Sequence, residues 1–408
     1  MTEHDHDAML QRMTLARVSR RGFLTAASLG GAATLLAACG SGSASSKPSS
    51  VAASAAPVAS AGPGASASAA VSTAEAALHT DVESDFNLYN WVDYDAPETT
   101  AGFQDEYGTT VILDIFNSNE EALAKFQAGG GAGYDMMAPT GYAVPAFASG
   151  GFLQKLDKSR LANYANIDPK FLAQPFDPNS EYYIPKDWGT TGFMYRSSDV
   201  TETPKGWNDL FALAPKYSGK FGIIDDKPVA IGMALKSLGF PINSVDPAEL
   251  DAAAEVLYAL APHIGNVSSD YRQVLRDKDM LLHTGWNGDA ATLRADPAYA
   301  DTVYIVPAEG TEVWLDAWVI PADAPHPNAA YAWLDYIMRP EIAAQETAYT
   351  QYGCAFSAAY PLLPPEILND PNIFPPDEVI AKLEPFTDNE ANEQRNDIWA
   401  TFRSKIGA

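Results

Sequence analysis

The chain has 408 residues, of which 47% are hydrophobic and 19% charged, too many for one compact core and enough apolar material for two lobes. Its net charge of −26 excludes a nucleic-acid surface, which needs a basic stripe, and fits a cationic partner or a solvated acidic surface. No run of apolar residues reaches the length that spans a bilayer, and two cysteines, Cys39 and Cys354, leave no disulfide framework.

In chain order, a basic head comes first: Ser19-Arg20-Arg21-Gly22-Phe23-Leu24 leads into a short run of Ala, Gly, Leu and Thr. That is the layout of an export signal. The arginine pair resembles a twin-arginine signal, and Leu36-Ala37-Ala38-Cys39 resembles the lipobox of bacterial lipoproteins. The expectation is a leader over 1–38, removed on export, and a lipid on Cys39 that holds the protein to the outer face of the cytoplasmic membrane.

Residues 39–84 read as a tether. They are dominated by Ser, Ala, Gly, Pro and Val, and bury too little apolar surface to offset chain entropy.

From Phe86 short apolar strands alternate with helical stretches. Phe86-Asn87-Leu88-Tyr89 reads as a strand, Pro97 to Gly108 as a helix with a first-turn proline and a glycine stop, and Val111-Ile112-Leu113 as the next strand. Ser118 with Glu121 makes a capping box for a helix running to Gly129-Gly130-Gly131, and Tyr134 to Met137 is a third strand. Later pieces are strands at 221–224 and 280–283, and helices at 229–238, 248–260, 327–338 and 390–403. The class is α/β. Cys354, in an aromatic, small-residue stretch, reads as a buried small hydrophobe.

Motifs for phosphate cradles, zinc-binding helices and serine nucleophiles are missing, and the histidines are scattered. No catalysis, metal or cofactor is expected. What recurs, after the expected strands, is aromatics beside carboxylates: Trp91-Val92-Asp93-Tyr94, Thr140-Gly141-Tyr142, Asp225-Asp226, Trp286-Asn287-Gly288-Asp289 and, later, Trp314-Leu315-Asp316. Ligands of open α/β sheets lie at the carboxyl ends of strands. An ammonium over an aromatic face gains about 0.5–2 kcal/mol, and a carboxylate adds a charge-assisted hydrogen bond. These segments hold no Lys or Arg, so the set suits a flexible polycation and disfavours an anion.

Tyr89-Asn90-Trp91-Val92-Asp93-Tyr94, with Ser118-Asn119-Glu120, Tyr134-Asp135, Pro175-Phe176-Asp177-Pro178-Asn179, Trp286-Asn287-Gly288 and Trp314-Leu315-Asp316, closely resembles the spermidine and putrescine receptors of ABC importers. The resemblance covers roughly residues 86–408. It implies a type II periplasmic-binding-protein fold, two α/β lobes joined by crossing hinge strands, with lobe one at 85–190 plus 314–363 and lobe two at 191–313 plus 364–408. It also implies a monomer that captures putrescine or spermidine between the lobes and delivers it to permease subunits. By position, Trp91, Tyr142, Trp286 and Trp314 would stack on the solute; Asp93, Asp226, Asp289 and Asp316 would pair with its amines; Thr140 and Ser269 would add hydroxyls, and Tyr94 would line the cleft with them.

There are departures. Relatives carry a Glu where this chain has Val229 and a Tyr where it has Cys354, and the C-terminal polar contact falls on Asn389. Another amine-bearing solute therefore stays open, as does, from another class, a secreted hydrolase working through a carboxylate pair.

Overall fold

The computed structural model describes Glu75, residues 77–387 and residues 392–406; the expected leader, Cys39 and Asn389 lie outside the described residues. Strand β1 (Asp85–Asn90) pairs in parallel with β2 (Thr110–Ile115) and β3 (Met136–Met137). The helix between β1 and β2, Pro97–Tyr107, has proline in its first turn and ends at Gly108, whose φ of 67° is the left-handed conformation a residue without Cβ adopts freely. It turns Phe103 onto Phe86 and Trp333, at ring separations of 5.8 and 5.1 Å. Ser118 caps the helix Asn119–Lys125 by accepting the Glu121 N–H, and that helix runs into a wide turn over Phe126–Gly130.

The strand that organises the molecule is β4, Tyr183–Arg196, which the sequence reading did not anticipate. All but its last residue are buried, so it lacks the alternation that marks a half-buried strand, and Pro185, Gly189 and Gly192 disguise it further. Its first half pairs antiparallel with β9 (Val313–Val319); its second half pairs with β7 (Leu282–Trp286) and β8 (Thr302–Ile305). Short β10 (Gly353–Cys354) also joins β4. With β5 (Phe221–Ile223) and β6 (Ile264–Val267) the order becomes β2-β1-β3-β9-β4-β7-β5-β6. β4 is therefore shared by a β1–β2–β3 portion and a β5–β6–β7 portion, each with its own parallel strands.

Each portion has a core. One gathers Phe86, Phe103, Trp318 and Trp333, the other Phe193, Trp207, Leu250 and Phe402. Each fully buried side chain of this size contributes about 1.5–3 kcal/mol of transfer free energy. Cys354 is buried and its thiol is pushed up to about 11 by that burial, so it packs as a small hydrophobe.

Several expectations need correction. Trp314 and Asp316 lie within β9, not after a strand, because β9 crosses beside β4. The strand expected at 280–283 is Leu282–Trp286, and the helix expected at 390–403 is Glu393–Lys405, started by the Asn392 side chain. The tether does not extend to residue 84. Glu75 is buried and accepts hydrogen bonds from Arg339 at 2.8 and 2.9 Å and from Asn163 at 2.8 Å, while His79 meets Asp335 at 3.0 Å. Specific charge pairing docks a segment whose composition alone would leave it loose.

Candidate functional site

The loops after β1, β2, β3, β5 and β6, the end of β7 and one face of β9 converge on a cavity of about 150 Å³. Ten of the eleven expected ligand residues line it: Trp91, Tyr94, Thr140, Tyr142, Asp226, Ser269, Trp286, Asp289, Trp314 and Asp316. Asp93 does not. Its φ of 52° turns it outward, where it accepts a hydrogen bond from Arg272 at 3.0 Å.

The aromatic walls are held from behind. Trp91 donates its indole N–H to the Ala138 carbonyl at 2.8 Å and packs on Phe116. Tyr142 receives the Asn119 amide at 3.1 Å and meets Phe386 edge-on. The backbone N–H of Trp286 donates to the Tyr271 hydroxyl at 2.8 Å, and Trp314 stands edge-on to Tyr352 at 4.7 Å. Rings fixed this way present flat faces without an ordering cost at binding.

The carboxylates differ in surroundings. Asp226 caps the helix Lys227–Ser237, accepting the Val229 N–H at 2.8 Å. Burial raises the pKa of Asp289, against which Arg272 lies with its Nε 3.8 Å away. Asp316 is pushed up to about 7, by burial first and by the Asp187 charge second. The Tyr94 hydroxyl lies 2.5 Å from Asp187 and 2.6 Å from Asp316. Behind Asp187 sits Lys186, its ammonium 3.1 Å from Asp95, 3.7 Å from Glu346 and 3.8 Å from Asp187. Burial works against the Lys186 charge, but the three carboxylates outweigh it and raise its pKa.

The lining also holds residues that were not anticipated as ligand residues, among them Phe116, Arg272, Glu312 and Tyr352. Arg272 begins a short helix just after Ser269-Asp270-Tyr271, and as a basic residue it falls outside the aromatic–carboxylate pattern that marked the other positions. Glu312 does have one. Glu312, Trp314 and Asp316 alternate with Val313 and Leu315, and an extended chain puts alternate residues on one face. Val313 and Leu315 line a neighbouring apolar cavity with Phe171, Phe176 and Phe386, one that Glu312 and Trp314 border as well.

Chemically, the cavity offers flat π faces and buried carboxylates, with one resident guanidinium at its edge. That arrangement suits a cation that sheds its water. Val229 packs in the apolar cluster with Tyr142 and Phe386 and is not part of the lining.

The family model for bacterial extracellular solute-binding proteins matches residues 98–375. The spermidine/putrescine-binding periplasmic protein of Escherichia coli is 34% identical over 327 residues, covering 80% of this chain and 90% of that protein. The putrescine/agmatine-binding protein of Pseudomonas aeruginosa is 33% identical over 342 residues, covering 80% and 93%. Among solved structures, the spermidine/putrescine ABC transporter substrate-binding protein of Streptococcus pneumoniae superposes with a TM-score of 0.68 at 31% identity, covering 79% of this chain and 99% of that one.

Proposed function

The chain belongs to the bacterial extracellular solute-binding proteins, and from that membership we propose that it captures a polyamine, putrescine or spermidine, as the receptor subunit of an ABC importer. Its fold is the type II periplasmic-binding-protein fold. The observation that carries the reading is Asp316, a carboxylate buried beside Trp314 in a cavity walled by Trp91, Tyr142 and Trp286. In this reading the rings stack on the methylene chain, Asp226 and Asp316 meet its ammonium groups, and Thr140 and Ser269 add hydroxyls. Asp289 acts beside Arg272.

The lobes, 85–190 plus 314–363 and 191–313 plus 364–408, would close on the solute by bending at β4 and β9, and the closed form would dock on permease subunits. The protein does no chemistry of its own and works as a monomer. Among the described residues no helix is long and apolar enough to cross a membrane, and the lipid on Cys39 supplies the attachment.

Arg272 favours a second reading, an amine-bearing solute that also carries a carboxylate. Calorimetric titration of the purified protein with putrescine, spermidine, an ω-amino acid, choline and a neutral sugar separates the two. Binding of a polyamine alone supports the first reading; binding of the ω-amino acid with no heat from either polyamine refutes it.

A further inference from the structure

Glu312 stands out among the carboxylates of the cavity. Its side chain is buried, with 5% of the residue exposed, and its hydrogen-bond donor is the Thr191 hydroxyl. Among the described residues no Lys or Arg forms an ion pair with it, as is also the case for Asp316, whereas Asp289 has Arg272 at 3.8 Å and Asp225 has Arg403 at 2.8 Å. Its charged neighbours are Asp226 and Asp316, both negative, and burial followed by the Asp226 charge raises its pKa well above the usual carboxylate range. Such a group costs stability unless something positive arrives.

The backbone there is held firmly. The Glu312 carbonyl accepts the Thr191 N–H at 3.3 Å, and the next residue, Val313, donates to the Glu384 carbonyl at 3.1 Å. Glu312, Trp314 and Asp316 share the cavity face, so a carboxylate, an indole and a carboxylate stand in a row on one extended segment. At roughly 3.4 Å per residue the two acidic Cα atoms lie about 14 Å apart, with the ring between them.

We propose that Glu312 is an ammonium anchor of this cavity and that, acting with Asp316 across Trp314, it favours a triamine over a diamine. The proposal rests on the polyamine reading of the site. A diamine is held by Asp316 and one further carboxylate; a triamine has another ammonium to place at Glu312, while its methylene chain crosses the indole.

The test is Glu312→Gln, which keeps the shape and the acceptor for Thr191 but removes the charge. The purified protein and the variant are titrated calorimetrically with spermidine and with putrescine, and both are melted without ligand. Loss of a desolvated charge partner predicts about a tenfold or greater drop in spermidine affinity, a much smaller drop for putrescine, and a ligand-free Tm that stays or rises. Glu312→Asp, which keeps the charge on a shorter arm, is expected to retain part of the spermidine preference. An unchanged spermidine affinity in Glu312→Gln, with polyamine binding intact in the parent, overturns the Glu312 assignment alone. Equal losses for both amines with a lowered Tm mark a structural role and also overturn it. If the parent binds neither amine, the polyamine reading falls and this assignment with it.

Discussion

The phenolic oxygen of Tyr94 lies 2.6 Å from a carboxylate oxygen of Asp316 and 2.5 Å from one of Asp187, and a phenol has one proton to give. Burial raises the pKa of both carboxylates. Lys186, 3.8 Å from Asp187, works against that rise there, so uptake of a proton is favoured on Asp316, whose pKa is pushed up to about 7.

Polyamine affinity therefore depends on pH. An arriving ammonium needs Asp316 ionised, so affinity should rise from pH 5.5 to 8 and level off above, with a proton released on binding at the lower end. Ligand-free stability should move the other way. The folded pKa of Asp316 is raised from 3.8 to about 7, so between those values the folded chain binds the extra proton, and this group's contribution to stability falls as pH rises and is flat above about 7. Asp316→Asn should reduce both dependences, leaving the part carried by the other carboxylates that burial raises, Glu312, Asp289 and Glu346, and weaken polyamine binding at pH 8 by about 2 kcal/mol or more. Titrations in buffers of different ionisation enthalpy count the released proton; a count of zero at pH 6 would be inconsistent with this assignment.

Lys186→Met should be strongly destabilising. The ammonium is nearly inaccessible and faces Asp95, Asp187 and Glu346, so its loss leaves carboxylates uncompensated in the interior, at a cost of about 3–5 kcal/mol. Urea unfolding at pH 8 checks this, and the deficit should shrink at pH 5.5, where Glu346, pushed up to about 7 by burial, takes up a proton. A stability equal to the parent at pH 8 would contradict it.

Asp93→Asn should matter little. Its carboxylate is 59% exposed and meets Arg272 outside the cavity, and exposed ion pairs contribute about 0–1 kcal/mol. Polyamine affinity within about threefold of the parent is expected from calorimetry; a loss as large as that of Asp316→Asn would return Asp93 to the site.

Gly189→Ala should damage the site from behind. A Cβ there would come within 2.3 Å of both the Asn287 side-chain oxygen and the Trp314 ring, at the point where β4 passes β9. Trp314 must shift to admit it, so solute affinity should fall about tenfold or more, with a stability loss of about 1–3 kcal/mol. Titration and melting of the variant read the two effects; unchanged affinity would mean that Trp314 is free to move without consequence.

What the residues determine locally was legible in the sequence. Pro97 and Gly108 bracket a helix, Ser118 and Glu121 start another, and Trp91 and Asp226 sit where loops leave parallel strands, because turns, caps and strand ends are settled by neighbours a few positions apart. Tertiary structure alone decided the rest. β4 is buried along nearly its whole length and carries no alternation to read; Arg272 reaches Asp289 and Asp93 only because distant segments converge; Glu75 docks on Arg339 across the fold. Glu312 lies between these cases. Its alternation with Trp314 and Asp316 is written in the sequence, but which face of that strand meets the cavity, and that no Lys or Arg among the described residues pairs with the carboxylate there, depends on the crossing of β9 with β4, and charge pairing in a buried site is a property of three-dimensional neighbours.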